Sequence, residues 1–108
     1  MVVGVCRMTL GLPGNDSLKG KRKVLRSLLD RMRAKFNVAA AEVEAMDDHR
    51  HAVVGFSVVS NDSAHANSML DTIAEFVVSA RGAVVTDHSL ELIHMADGAP
   101  LGRGQAQW

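Results

Sequence analysis

The 108-residue sequence predicts an α+β domain with the element order β-α-β-β-α-β, a split βαβ arrangement with two helices on one face of a four-stranded antiparallel sheet. Three observations predict it. Two stretches carry apolar residues at helical spacing, four others carry the period of strands, and together they fall into two similar strand-helix-strand halves. Right-handed crossovers then set the first and third strands side by side at the centre, expected to be parallel to each other, with the second and fourth at the edges.

The first strand runs from Met1 to Leu12. Val2, Gly4, Cys6, Met8, Leu10 and Leu12 share one face, and Val3, Val5, Arg7 and Thr9 share the other, so both faces begin apolar, as a central strand requires. Leu12-Pro-Gly-Asn-Asp16 is turn chemistry, and Ser17 is a good N-cap, which starts the first helix near Leu18. Val24, Leu25, Leu28, Leu29, Met32 and Phe36 form its apolar stripe, and Asn37 is a stop signal.

Val38 to Met46 reads as the second strand, with Ala39, Ala41 and Val43 expected inward and Glu42 and Glu44 outward, the outward acids suiting an edge. A polar turn, Asp47-Asp-His-Arg50, leads to the third strand, His51 to Ser60, which is apolar on both faces and therefore central. Asn61 or Asp62 caps the second helix. Its stripe is Ala66, Met69, Leu70, Ile73, Phe76, Val77 and Ala80, and Arg81-Gly82 ends it. Ala83 to Met95 is the fourth strand, less uniformly apolar and so the other edge. Residues 1–95 thus form one ferredoxin-like domain, and 96–108, rich in Gly, Ala and Gln without periodicity, are expected to be a disordered tail, with Trp108, the only Trp of the chain, as the candidate to dock on an apolar patch.

Charge is the informative part of the composition. The chain sums to zero, yet Lys19, Lys21, Arg22, Lys23, Arg26, Arg31, Arg33 and Lys35 are eight of its twelve basic residues, against one acid, Asp30, between Ser17 and Val38. That segment is net +7 and the remainder, four basic against eleven acidic, net −7. A segregated basic face suits an anionic partner. Lys19, Lys21, Arg22 and Lys23 also crowd a helix N-terminus, where each cation costs about 0.3–1 kcal/mol at low salt. A phosphate seated on the free N–H groups there would offset that cost, so Ser17, Lys19, Lys21, Arg22, Lys23, Arg26 and Arg33 are the candidate anion- or RNA-binding residues. A solvated, screened basic face is the plainer alternative.

Other chemistry is poorly supported. Gly14 to Arg22 departs from a phosphate-binding Gly-rich loop, because five residues separate Gly14 from Gly20-Lys21 and Arg22 stands where Ser or Thr would hold magnesium. His49 and His51 beside Asp47 and Asp48 are weak metal candidates without a fixed third ligand. Cys6 cannot form an internal disulfide and reads as a small buried hydrophobe. No catalytic residue and no cofactor is assigned. With no transmembrane-length segment and no signal-peptide order at the N-terminus, the expected compartment is the cytoplasm, away from membranes. There is no Tyr, and Phe36 and Phe76 fall on helix cores, so the sheet lacks the aromatics that stack on single-stranded bases.

Leu12-Pro-Gly-Asn-Asp-Ser-Leu-Lys-Gly-Lys-Arg-Lys-Val-Leu-Arg-Ser-Leu28, Arg33-Ala-Lys-Phe-Asn-Val-Ala-Ala-Ala-Glu-Val43 and Val59-Ser-Asn-Asp62 resemble the YlxP-like family of small bacterial proteins, a domain of unknown function. The resemblance covers about residues 1–95. It implies a ferredoxin-like fold and, from the family's gene neighbourhood beside translation-initiation and ribosome-maturation factors, a link to the ribosome. It brings no catalytic residues, and it implies an aromatic in the turn between the second and third strands where this chain has His49.

Two functional classes follow. One is a non-enzymatic module that docks on structured RNA, ribosomal RNA or a ribosomal subunit, through the basic helix. The other is a small phosphate-ligand-binding domain or acylphosphatase-like phosphohydrolase using Arg22 at the loop; a purely oligomeric protein-interaction role is a further alternative. Because two helices cover only one face of the sheet, a homo-oligomer is expected through the open face or an adjoining edge strand.

Overall fold

A computed structural model describes residues 1–96 and places six elements: β1 (Val2–Gly11), α1 (Leu18–Lys35), β2 (Ala39–Glu44), β3 (His51–Ser60), α2 (Ser63–Val78) and β4 (Val84–His94). The strands form one sheet in the order β2-β3-β1-β4 with two helices on one face, the ferredoxin-like arrangement. Of the expected tail, everything from residue 97 onward, Trp108 included, lies outside the described residues.

β1 and β3 are adjacent at the centre, but they run antiparallel, not parallel. The crossover helix α1 makes β1 parallel to β2, and the β2–β3 hairpin sends β3 back between them, antiparallel to both. The expectation of a parallel central pair applied the crossover rule to the wrong strands.

The core forms where the helix stripes meet the even-numbered face of β1. Cys6, Met8 and Leu10 of β1, Ala52, Val54, Phe56 and Val58 of β3, Leu25, Leu28 and Met32 of α1, and Ala66, Leu70, Ile73 and Val77 of α2 are all buried. Gly4 belongs to this face for a steric reason: a Cβ there would stand 2.6 Å from Leu70 Cδ1, so α2 approaches β1 more closely than any side chain allows. The α1 N-cap is Ser17, whose hydroxyl accepts from Gly20 N at 3.0 Å, and the α2 N-cap is Asp62, whose carboxylate accepts from His65 N at 3.0 Å. α1 ends at Lys35, two residues before Asn37, with Phe36 as its C-cap, and α2 ends at Val78, three residues before Arg81.

The faces of β2 are the reverse of those expected. Register sets Ala40 opposite Phe56 and Glu42 opposite Val54, so Ala40 and Glu42 turn toward the helices, while Ala39 and Ala41 lie on the open face. An irregularity between Glu42 and Glu44 then aligns Glu44 with Val53, and Val43 leans over Gly55. The inward position of Glu42 has a partner that periodicity does not reveal, Lys21.

Candidate nucleic-acid interface

α1 presents a buried stripe, a crest and two flanks, and its cations divide among them. At 100° per residue, Lys19, Lys23, Ser27 and Asp30 fall on the crest. Arg22, Arg26 and Arg33 fall on the flank toward β2, where Arg33 Nη2 donates to Ala40 O at 2.5 Å and the Arg33 guanidinium lies 3.6 Å from Asp30. Arg31 and Lys35 fall on the flank toward α2. There Phe36 and Phe76 pack edge to face, 5.5 Å between centroids, with Arg31 over the Phe76 ring at 5.7 Å and Lys35 at 5.1 Å.

Lys21 is not on this surface. It is only 1% exposed, and its ammonium donates to Ala45 O (2.5 Å) and Asp48 O (2.7 Å) while standing 2.8 Å from Glu42 Oε2. The contact with Glu42 is an ion pair away from hydrogen-bond alignment, so Oε2 has no hydrogen-bond donor among the described residues. Lys21 therefore staples α1 to the β2–β3 turn, with two hydrogen bonds and one ion pair made inside the fold.

The N-terminal seat expected for a phosphate is taken in part by the chain itself. Ser17 Oγ and Gly20 N satisfy each other, and Asn15 Nδ2 donates to Ser17 O (2.8 Å) and His49 O (2.5 Å). A Cβ on Gly20 would collide with Asn15 Oδ1, which accounts for a glycine inside the first turn without any ligand. Ser17 thus acts first as a cap. The anion-facing set reduces to Lys19, Arg22, Lys23 and Arg26, which, with Ser17, Gly20, Ser27 and Asp30, line a shallow depression along α1.

A second depression, which sequence reasoning missed, lies between α1 and the end of α2. It is lined by Lys23, Val24, Ser27, Arg31, Ser79 and Arg81. Arg81 stands beside the first half of α1 because the helices are antiparallel; a Cβ built on the next residue, Gly82, would stand 3.7 Å from the Val24 methyls. Its signal in the sequence was topological: an antiparallel helix pair brings the end of the second helix back to the start of the first.

The other candidates are not assembled into sites. Arg22 does not line the depression at the β1–α1 loop, which is formed by Gly11, Leu12, Pro13, Gly14, Asn15, Asp16, Arg50, His51 and Val84. His51 Nδ1 lies 3.0 Å from Asp48 Oδ2, and His49 supplies its carbonyl to Asn15. Asp48 also caps the turn: backbone N–H donation from Arg50, and secondarily the contact with His51, holds its carboxyl below the usual value. Among the described residues, no group of three or more His, Cys, Asp or Glu side chains is placed to hold a metal. Burial, with a smaller contribution from Asp71, pushes the Cys6 thiol up, which suits a packed residue and not a nucleophile.

Residues 3–90 match the family described as "Protein of unknown function (DUF503)". The chain belongs to the DUF503 family. It is similar to "Uncharacterized protein YlxP" of Bacillus subtilis (strain 168), at 33% identity over 63 residues, 58% of this chain and 68% of that one. Among solved structures it is similar to a C-terminal segment of the alpha subunit of aIF2 from Pyrococcus abyssi, with TM-score 0.47, 13% identity and 90% of this chain covered. This chain spans 52% of that one. A de novo designed protein with ferredoxin fold gives TM-score 0.47 at 13% identity, covering 100% of this chain and 99% of that one. A dimeric ferredoxin-like protein from an uncultured marine organism gives 0.41 at 15%, covering 89% and 99%. In this DUF503 protein no helix among the described residues is long and apolar enough to cross a membrane.

Proposed function

We propose that this protein is a non-enzymatic module that binds structured RNA, with ribosomal RNA or a ribosomal subunit as partner, through the solvent side of α1. The observation that supports the reading is the set Lys19, Arg22, Lys23 and Arg26. These four exposed cations share one depression, and no described ion pair or hydrogen bond engages their charged ends. Such a group costs self-repulsion, eased only by Asp30 in the same depression, and binding an anion relieves it. Contacts of this kind go to phosphates, so they position the protein on RNA with little base specificity and a strong dependence on salt. The reading places the protein in the cytoplasm, where such RNA is found.

The test is co-sedimentation of tagged protein with ribosomal subunits, together with binding to extracted ribosomal RNA, at low and raised salt. The expected result is retention at low salt, release at raised salt, and loss of retention when Lys19, Arg22, Lys23 and Arg26 are replaced by Ala. All four are surface residues, so the variant should keep its melting temperature. Retention unchanged in that variant would remove the assignment.

A further inference from the structure

We infer that α1 is a ridge straddled by double-stranded RNA, with one phosphate backbone against Arg22 and Arg26 and the other against Arg31 and Arg81. The inference rests on the RNA-binding reading and narrows its partner to a duplex. What carries it is the pair of depressions on either side of one helix. They share Lys23 and Ser27 at the crest, and each carries two guanidinium groups and a further hydroxyl, Ser17 on one side and Ser79 on the other.

A free phosphate or a mononucleotide would occupy one depression and leave the second set of cations unused. A single strand has one backbone, and its bound forms depend on aromatic platforms. None is free here among the described residues: Phe36 and Phe76 pack on each other beneath Arg31 and Lys35, and Phe56 is buried in the core. A duplex groove, by contrast, offers two backbones on either side of a gap. A helix with its side chains is about 10–12 Å across, so only a wide groove can receive it.

The setting of α1 selects the kind of groove. It lies flat on the sheet with α2 at its flank, as the Phe36–Phe76 contact shows, so it cannot enter a deep, narrow groove. The wide, shallow minor groove of A-form RNA can accept a low ridge, and the deep major groove of the same duplex cannot.

The experiment uses the full chain and measures fluorescence anisotropy with an RNA duplex of roughly 20 base pairs, its single strand and the DNA duplex of the same sequence, across a salt series. The wild type should bind duplex RNA on the order of ten-fold more tightly than either alternative. Arg81→Ala should weaken duplex binding about three- to five-fold near physiological salt and lower the salt slope by about one. Single-strand binding should change less. Arg81 lies in an exposed turn, so the fold should be unaffected, and equal melting temperatures will verify that. If RNA binds but duplex and single strand bind alike, or if Arg81→Ala is silent while Arg22→Ala weakens binding, the straddling inference falls and the RNA-binding reading stands. Equal affinity for the DNA duplex overturns the choice of A-form RNA. No binding of any RNA removes both.

Discussion

The Lys21 ammonium and the Glu42 carboxylate meet at 2.8 Å between α1 and β2, with the carbonyls of Ala45 and Asp48 completing the shell around the nitrogen. The most basic turn of the chain therefore contains one residue of opposite purpose to its neighbours. Lys19, Arg22 and Lys23 face solvent, and Lys21 holds the β2–β3 turn to the helix.

Replacing Lys21 with Ala is expected to destabilise the fold. It strands a carboxylate oxygen that is already short of donors and leaves two turn carbonyls without their partner. Breaking a buried pair from one side costs about 3–5 kcal/mol. The Glu42 side chain is 23% exposed, so water relieves part of that, and a loss of about 2–4 kcal/mol is expected. Thermal unfolding measures it, and a double-mutant cycle with Glu42→Gln should show coupling above about 0.5 kcal/mol. A Lys21→Ala variant as stable as the wild type would mean that the ammonium is not held inside.

Ala45 sits in the turn that Lys21 grips, with φ of 60°, a left-handed conformation that a Cβ disfavours. Ala45→Gly should raise stability by about 1 kcal/mol, because glycine takes this backbone without steric cost. An unchanged or lower midpoint in urea would show that the turn is not strained at this position.

Asp48 links the same turn to pH. Its carboxyl is depressed in the folded state by the Arg50 N–H and then by His51, so its contribution to stability is present above the ordinary carboxylate value and fades as pH falls through the folded value. The turn should therefore loosen below about pH 4. Asp48→Asn keeps an acceptor for the Arg50 and His51 N–H groups and cannot titrate, so its melting temperature should fall less steeply between about pH 5 and pH 2.5 than that of the wild type. Identical slopes would assign the acid sensitivity to other carboxylates.

The elements were legible because their signals are local. Ser17 and Asp62 cap the helices as their residue types suggest, and Leu25, Leu28, Leu29 and Met32 are buried as their spacing implies. Cys6 belongs to the packed face of β1, as strand alternation indicates. What stayed hidden was decided by partners distant in sequence. Lys21 lies four and seven residues before Leu25 and Leu28, on the buried stripe, but a lysine is counted as surface until a buried acceptor set is known. Glu42 inverts the reading of β2 for the same reason. Arg81 joins the cationic surface only through the packing of two helices. The direction of β3 was a matter of topology: the hairpin, not the crossover, sets it.

The open face of the sheet is not covered by either helix. We propose that the open face associates with a second copy, and the register narrows where. Met1, Val3, Val59, Ile93 and Met95 form one band across β3, β1 and β4 at one end of that face. Val59 is 63%, Ile93 46% and Met95 64% exposed. No charged side chain interrupts this band, whereas the next rows carry Glu91 and then Arg7, itself 3.3 Å from Glu44. A band of apolar side chains, with the Met1 ammonium donating to Met95 O at 3.0 Å, is self-complementary across a two-fold axis, and pairing there leaves α1 and its cations outward on the opposite side of both sheets. Five side chains provide less than the roughly 800 Å² per partner of a standard interface, so the dimer should be weak and dependent on concentration. Light scattering should show the mass rising from 11.6 kDa toward twice that value as the protein is concentrated. Val59→Glu should hold the chain monomeric with little change in melting temperature, since the site is open in the single chain. A mass that stays at one chain throughout, or a Val59→Glu variant that still dimerises, would move the contact elsewhere or remove it.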